Sequence, residues 1–371
     1  MAGKDGGRLK PVRIFQIANH IGFDRGGAER LACSLHRGLL DNQVDAEILA
    51  IESFETAEPA ASASLGFSNP RDLRALWRLD KALRGKVQPG DIVHAHLFPS
   101  TLYVSLLKQA GRIACPVWMT EHNTWNRRRD TGGGRTLDRL IYRGFDGIVA
   151  ISEATRDALL DTYPHLSGKA RVVENGVDLK HAQFLQRSRG PGPLRVVSLG
   201  RLAHAKNLDG ALRALALLGR DDWSYRIVGD GPERQALEDT ARRLGISQQV
   251  EFAGHVGNVW PELERADLFL MPSRWDGFGL AAVEAMNVGL PLVISDVPGL
   301  REVVGGAAVS PVPIERDELL AKAIATLLDD PDLRERLGRN AFARSLQFSS
   351  ERMLGAYLEL WKSAAGADGG A

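Results

Sequence analysis

Short β-branched and apolar runs alternate with segments whose apolar positions recur every three to four residues, the pattern of parallel strands covered by helices. In the front half this predicts strands over 12–18, 46–51, 91–96, 116–120 and 147–151, and helices over 29–40 and 71–83, with a further helix after each of the last two strands. The periodicity fails between Leu179 and Pro193, a polar stretch ending in Arg-Gly-Pro-Gly-Pro that reads as a linker. It restarts with strands over 194–199, 225–228, 250–252, 267–271 and 291–294, and helices over 208–218, 232–244 and 280–288. Two such series predict two similar α/β domains, over 1–185 and 186–345. Phe348-Ser349-Ser350-Glu351 then reads as the N-cap of an amphipathic helix reaching about Ser363. Residues 346–371 are expected to carry that helix back onto the front domain, with a disordered Gly-rich tail after Ala364.

Composition narrows the setting. A chain of 371 residues exceeds one ordinary core, and 44% hydrophobic with 25% charged residues is the balance of a globular protein. No apolar run is long enough to span a bilayer, and Met1–Arg13 lacks the apolar stretch of a signal peptide. Cys33 and Cys115 have neither the number nor the spacing of a disulfide framework or zinc site, so a cytoplasmic location is expected. The net charge of +1 hides an asymmetry: residues 1–190 hold 27 basic against 21 acidic side chains, and residues 191–371 hold 20 against 25. The basic front half raises the expectation of peripheral contact with an anionic membrane face or an anionic acceptor, against the plainer reading of a solvated surface.

Ligands of open α/β sheets bind beyond the carboxyl ends of the strands, so the loops there carry the candidate chemistry. Gly26-Gly27 lies where the first strand passes into a helix, and its amides suit an anion at the positive end of the helix dipole. The spacing is not the dinucleotide fingerprint, and no Walker-type motif occurs. In the back half, Arg201 and Lys206 stand together between strand and helix, placed to neutralise a diphosphate and stabilise it as a leaving group. The richest loop runs Pro272-Ser273-Arg274-Trp275-Asp276-Gly277-Phe278-Gly279-Leu280, with Glu284 about one turn into the following helix. Asp276 then sits at a loop tip near a reacting group, while Glu284 points toward ribose hydroxyls. The plain alternatives are an N-cap and a solvated helix residue.

These motifs resemble those of the family 4 retaining glycosyltransferases, the glycosyl transferases group 1. The resemblance rests on Gly200-Arg201-Leu202 with Lys206-Asn207, Val228-Gly229-Asp230-Gly231-Pro232 and Asp276 to Glu284. It extends to Gly26-Gly27-Ala28-Glu29, Thr120-Glu121-His122, Ile151-Ser152-Glu153 and Glu174-Asn175-Gly176-Val177-Asp178, and so covers nearly the whole chain. It implies the GT-B fold, two facing Rossmann-like domains with the donor in the cleft, held mainly by the back domain, and the acceptor at the front. The implied donor is a nucleotide diphosphate sugar, with a uridine diphosphate sugar expected before a guanosine one; the expected acceptor is a glycan or lipid-linked acceptor, and no nucleic acid is expected. His122 and Asp276 match the catalytic positions, with Asp276 standing where the family usually has Glu. Donor contacts fall to Gly27, Arg201, Lys206, Val256 beside His255, Gly277, Phe278, Gly279, Leu280 and the ribose ligand Glu284; acceptor contacts fall to Gly26, Arg127 and Arg128.

Other signals have simpler readings. His94-Ala95-His96 puts two imidazoles on one strand face, but no third metal ligand accompanies them. Asp330-Pro331-Asp332 has the Asp-x-Asp form of metal-dependent transferases and reads more simply as a helix cap. Arg127-Arg128-Arg129 is a solvated run or a contact to a phosphate-bearing acceptor. The expected enzyme is therefore metal- and cofactor-independent. A nucleotide-sugar epimerase and a catalytically inactive nucleotide-sugar-binding protein are the rival readings.

Overall fold

The computed structural model describes residues 12–22, 26–53, 62–184, 192–307 and 311–367. The front sheet comprises β1 (Ile14–Ala18), β2 (Ala46–Glu52), β3 (Ser62–Phe67), β4 (Ile92–His96), β5 (Val117–Glu121), β6 (Gly147–Ala150) and β7 (Ala170–Val172), in the order β3-β2-β1-β4-β5-β6-β7. The back sheet comprises β8 (Leu194–Leu199), β9 (Trp223–Val228), β10 (Val250–Gly254), β11 (Leu268–Met271) and β12 (Leu292–Ile294), in the order β10-β9-β8-β11-β12. Neighbouring strands pair in parallel throughout both sheets. In each sheet the strand order reverses at the first strand, β1 or β8, which opens a crevice at its carboxyl end.

The central strands have both faces covered and accordingly read as unbroken apolar runs: Gly147–Ala150 and Leu268–Met271 are buried at every position. Gly147 is required there, since a Cβ would lie 2.2 Å from the Trp118 ring. The sheets are less alike than the sequence pattern predicts, because β3 and β7 were not anticipated. The first is an edge strand with half of its residues exposed and only Leu65 and Phe67 buried, and the second spans only three residues, so neither carries a strong hydrophobic signature.

The helix Ser350–Ala367 returns to the front domain, where Met353, Leu354, Tyr357 and Trp361 pack with Ile14, Leu31, Leu35 and Trp118. The crossing is pinned by Val177 and Phe348: the Val177 N–H donates to the Phe348 carbonyl at 2.9 Å, and Ser350 N–H donates back to the Val177 carbonyl at 2.9 Å. A Cβ on Gly176 would meet the Ser349 carbonyl oxygen at 2.4 Å. This helix continues through Ala367, past the point where the tail was expected to lose order; residues 368–371 lie outside the described residues. At the linker, the buried Asn287 Oδ1 accepts from the backbone N–H groups of Lys180 and His181 at 2.9 and 3.0 Å, and 185–191 lie outside the described residues. A further tie across the domains comes from Glu302, whose carboxylate accepts from the N–H groups of Glu153 and Ala154, each at 2.8 Å, at the positive end of the helix Glu153–Thr162.

Candidate active site

The back-domain loops meet backbone to backbone. Gly200, at φ 142°, donates its N–H to the Val228 carbonyl at 2.9 Å. Gly229, at φ 135°, approaches so closely that a Cβ would lie 2.0 Å from the Gly200 carbonyl oxygen. Only glycine tolerates that conformation and that approach. The Lys206 stem packs over Gly200, and its ammonium reaches Asp276 Oδ2 at 2.6 Å. Arg201 is exposed and has no ion-pair partner among the described residues. The sequence suggested Arg201 and Lys206 as a cationic pair; the structure instead couples Lys206 to Asp276.

Arg274 clasps the two loops that carry this pair. Its N–H donates to the Ala205 carbonyl at 2.7 Å, its Nη1 to the His204 carbonyl at 2.7 Å, and its guanidinium pairs with Asp209 at 3.2 Å. Asp276 in turn accepts the Phe278 N–H on Oδ1 at 3.2 Å, so one short carboxylate both caps the turn and holds the lysine. Phe278 is buried and meets Phe348 edge to face, with ring centroids 5.4 Å apart. Gly279, at φ 92°, opens the helix Leu280–Asn287.

This loop is locked against the front domain. The Gly277 carbonyl accepts from Ser152 Oγ at 2.7 Å and Thr155 Oγ1 at 3.2 Å, and a Cβ on Gly277 would lie 2.3 Å from the His122 carbonyl oxygen. Gly27, at the start of the helix Gly27–Asp41, faces Leu280, whose methyl would sit 3.3 Å from a Cβ there. One turn along that helix, Arg30 Nη2 reaches Glu284 Oε1 at 2.6 Å. Burial pushes the Glu284 carboxyl above its usual range, and the Arg30 charge partly opposes that rise.

His122 follows the carboxyl end of β5. It is buried, its Nε2 has no hydrogen-bond partner among the described residues, and burial lowers its pKa to about 4, so the ring is neutral at pH 7. His96 lies 5.9 Å away and His94 stacks on His96 at 4.7 Å. His94 is fixed by Thr120 Oγ1 at 2.7 Å and by the Trp361 indole N–H at 3.3 Å, and Tyr357 OH meets the same threonine at 3.0 Å. The His-x-His pair is thus part of a buried network under His122, tied to the C-terminal helix. No group of three metal-ligating side chains occurs among the described residues.

Burial drops His94 to about 3, and pushes His96 well below its ordinary value. The unfolded chain binds protons at such sites from ~6.5 downward while the native state does not, so stability rises with pH across that interval. Lowering the pH from 7 to 5 is expected to cost about 2 kcal/mol per buried imidazole, read as a fall in the urea midpoint. A His94→Asn variant should lose less between the two pH values than wild type. Equal midpoints at pH 7 and 5 would contradict the burial of these rings.

The arginine run does not present three free cations. Arg129 is buried against Glu121 at 3.0 Å, and Arg128 pairs with Asp138 at 2.6 Å while lying 4.7 Å over the Phe98 ring. Arg127 is exposed. Gly26 and Arg127 are thus open at the front, whereas Arg128 is largely engaged. Of the first loop, residues 23–25 lie outside the described residues. Val256, in the turn after β10, is half-buried against the back-domain core. Asp330 Oδ1 accepts the Leu333 N–H at 2.8 Å, as a cap does. Sequence reasoning gave no role to Arg30, Arg274, Ser152 or the Trp125–Trp275 pair, whose rings meet at 4.8 Å across the cleft. Each except Trp125 had a local signal: Arg30 lies one helical turn beyond Gly27, Arg274 and Trp275 stand in the loop before Asp276, and Ser152 sits in the Ile151-Ser152-Glu153 motif.

Residues 25–181 match the family described as Glycosyltransferase Family 4, and residues 182–344 match Glycosyl transferases group 1. A glycogen synthase of Mycobacterium tuberculosis is 31% identical over 286 residues, 73% of this chain and 68% of that protein. The lipopolysaccharide core biosynthesis mannosyltransferase of Rhizobium meliloti is 30% identical over 325 residues, 82% and 87% of the two chains. Among solved structures, the sucrose-phosphate synthase of Thermosynechococcus elongatus superimposes with a TM-score of 0.81 at 19% identity, covering 96% of this chain and 100% of that one. The pneumococcal O-GlcNAc transferase, solved with UDP and GlcNAc, gives 0.78 at 12% identity over 95% and 99% of the chains. With its two parallel-sheet domains and motifs distributed over both, the chain belongs to the group 1, family 4-type glycosyltransferases of GT-B fold.

Proposed function

We propose that this glycosyltransferase moves a sugar from a nucleoside diphosphate sugar, a uridine diphosphate sugar in the first instance, to a glycan or lipid-linked acceptor with retention of configuration. The observation that carries the reading is the close packing at Gly277, where the front-domain backbone of His122, whose buried imidazole is neutral and unpartnered among the described residues, meets the back-domain loop that holds Asp276 in its pair with Lys206. An orphaned buried ring nitrogen is a ready partner for a sugar hydroxyl. Solved relatives bound to UDP, the pneumococcal transferase and Anabaena HepE, support the choice of nucleotide.

In this reading Arg201, Lys206 and the amides of Gly27 and of Gly277 to Leu280 take the diphosphate and the sugar oxygens. Glu284, oriented by Arg30, accepts from ribose hydroxyls, and the turn at Val256 borders the base. The bond from the anomeric carbon to the phosphate oxygen breaks, and the electron pair stays on the phosphate. The acceptor hydroxyl forms the new bond on the same face and gives its proton to that phosphate. His122 and Asp276 orient the sugar and offset developing positive charge. Gly26 and Arg127, with Arg128 as a lesser contact, line the acceptor side.

The basic groups supply the charge that a divalent ion supplies elsewhere, so transfer is expected to survive exhaustive chelation. NMR of the product formed under chelator should show the anomeric configuration of the donor. An inverted product, or activity lost under chelator and restored by manganese, would overturn the mechanism.

A further inference from the structure

The two most exposed large apolar side chains among the described residues are Leu73, at 77%, and Trp77, at 65%. They stand four positions apart at the start of the helix Arg74–Leu83, whose Ala75, Leu79 and Leu83 are buried on the domain. Each exposed position lies two residues from a buried one, about 200° around the helix, so Leu73 and Trp77 project directly away from the core. Residues 71–86 hold six Lys or Arg and two Asp. The two aspartates are engaged by Arg74 and Arg84, and Lys86 pairs with Glu47, which leaves Arg71, Arg78 and Lys81 as an excess of positive charge along the segment that carries the apolar pair. Lys81 lies 5.7 Å over the Trp77 ring, with its ammonium at the edge of the apolar face.

The location matters for the proposed reaction. The segment before this helix leaves the carboxyl end of β3, the same edge of the sheet from which the His96 and His122 loops leave β4 and β5. Tyr103 fixes it there by donating toward the carbonyls of Pro70 and Asp72 at 3.0 and 3.3 Å. An apolar pair on a basic segment, on the cleft side of the front domain, matches the chemistry of an anionic lipid surface: aromatic and aliphatic groups enter the headgroup layer and cations meet the headgroups. We infer that the Leu73–Trp77 face docks the enzyme on an anionic bilayer with its cleft rim toward the headgroups. This rests on the lipid-linked acceptor of the proposed function, and it places the membrane contact on this helix rather than on Arg127 to Arg129.

The test is co-sedimentation with phosphatidylcholine vesicles and with vesicles containing phosphatidylglycerol, at low and high salt. Wild type should pellet with the anionic vesicles only, and less so in high salt. A Leu73→Ser/Trp77→Ser variant should lose about tenfold or more of its partitioning, whereas Arg127→Ser should bind as wild type. Lipids brominated in their chains should quench part of the tryptophan emission in wild type and less in Trp77→Phe. UDP titration of each variant runs beside these assays: unchanged UDP affinity shows that the fold and donor site are intact. Failure of wild type to pellet, or full pelleting of the double variant, overturns the membrane face even where UDP binds. Vesicle binding without UDP binding would instead overturn the donor reading and leave this face standing.

Discussion

Replacing Gly277 by Ala is expected to lower kcat about 100-fold while leaving both sheets folded. The added Cβ would lie 2.3 Å from the His122 carbonyl oxygen and 3.1 Å from the Ile151 methyl. The methyl can rotate aside, but the carbonyl belongs to the backbone just past β5, and the other side of the loop is just as confined. A Cβ on Gly299 would meet the Asp276 carbonyl at 2.4 Å, so Asp276 and Gly277 cannot retreat in that direction either. Relief therefore requires the loop to move by about 1 Å, which weakens the bonds from Ser152 and Thr155 and shifts Asp276 relative to His122. Overpacking of this kind costs about 1–3 kcal/mol, seen as a lower melting temperature but not as unfolding. Gly168→Ala is the control, because a Cβ there meets nothing within 4 Å and the residue lies outside the site loops. Steady-state kinetics giving Gly277→Ala the kcat of wild type would mean that this interdomain packing is not part of the active arrangement.

Much of this arrangement is legible in the sequence for identifiable reasons. Fully covered strands such as Leu194–Leu199 and Leu268–Met271 announce themselves as apolar runs, and the glycine-rich loops between strand and helix mark the carboxyl edge where the site lies. His122, Asp276 and Glu284 could be nominated because each occupies such a loop or the first turns after it. What local pattern cannot supply is partnership. Nothing near Glu284 in sequence indicates that Arg30, 254 positions away, holds its carboxylate, or that Lys206 spends its charge on Asp276. The run Arg127 to Arg129 is uniform in sequence yet splits three ways once Glu121, Asp138 and Phe98 are in place. Conversely, nothing in the helix expected over 71–83 tells that Trp77 is turned outward, which only the packing shows. Short or edge strands such as β7 and β3 are set by their neighbours rather than by their own composition.

The Arg201→Ala/Lys206→Ala variant is expected to bind UDP at least about 100-fold more weakly than wild type, because each cation contributes about 1.5–3 kcal/mol through hydrogen bonds to a charged group. Lys206 should carry the larger share. Its removal also leaves Asp276, 14% exposed and previously neutralised at 2.6 Å, as an uncompensated negative charge in the donor site. Arg201 is exposed and makes no ion pair among the described residues, so Arg201→Ala should melt near wild type, whereas Lys206→Ala should melt lower through the loss of the Asp276 pair while both sheets stay folded. Arg274→Ala would act differently, loosening the clasp between the Lys206 and Asp276 loops rather than removing a phosphate ligand. The decisive measurement is calorimetric titration of UDP into wild type and the double variant at one ionic strength. Saturable binding to wild type that falls by two orders of magnitude or more in the folded variant is the result this account predicts, and equal UDP affinity in the two proteins would contradict it.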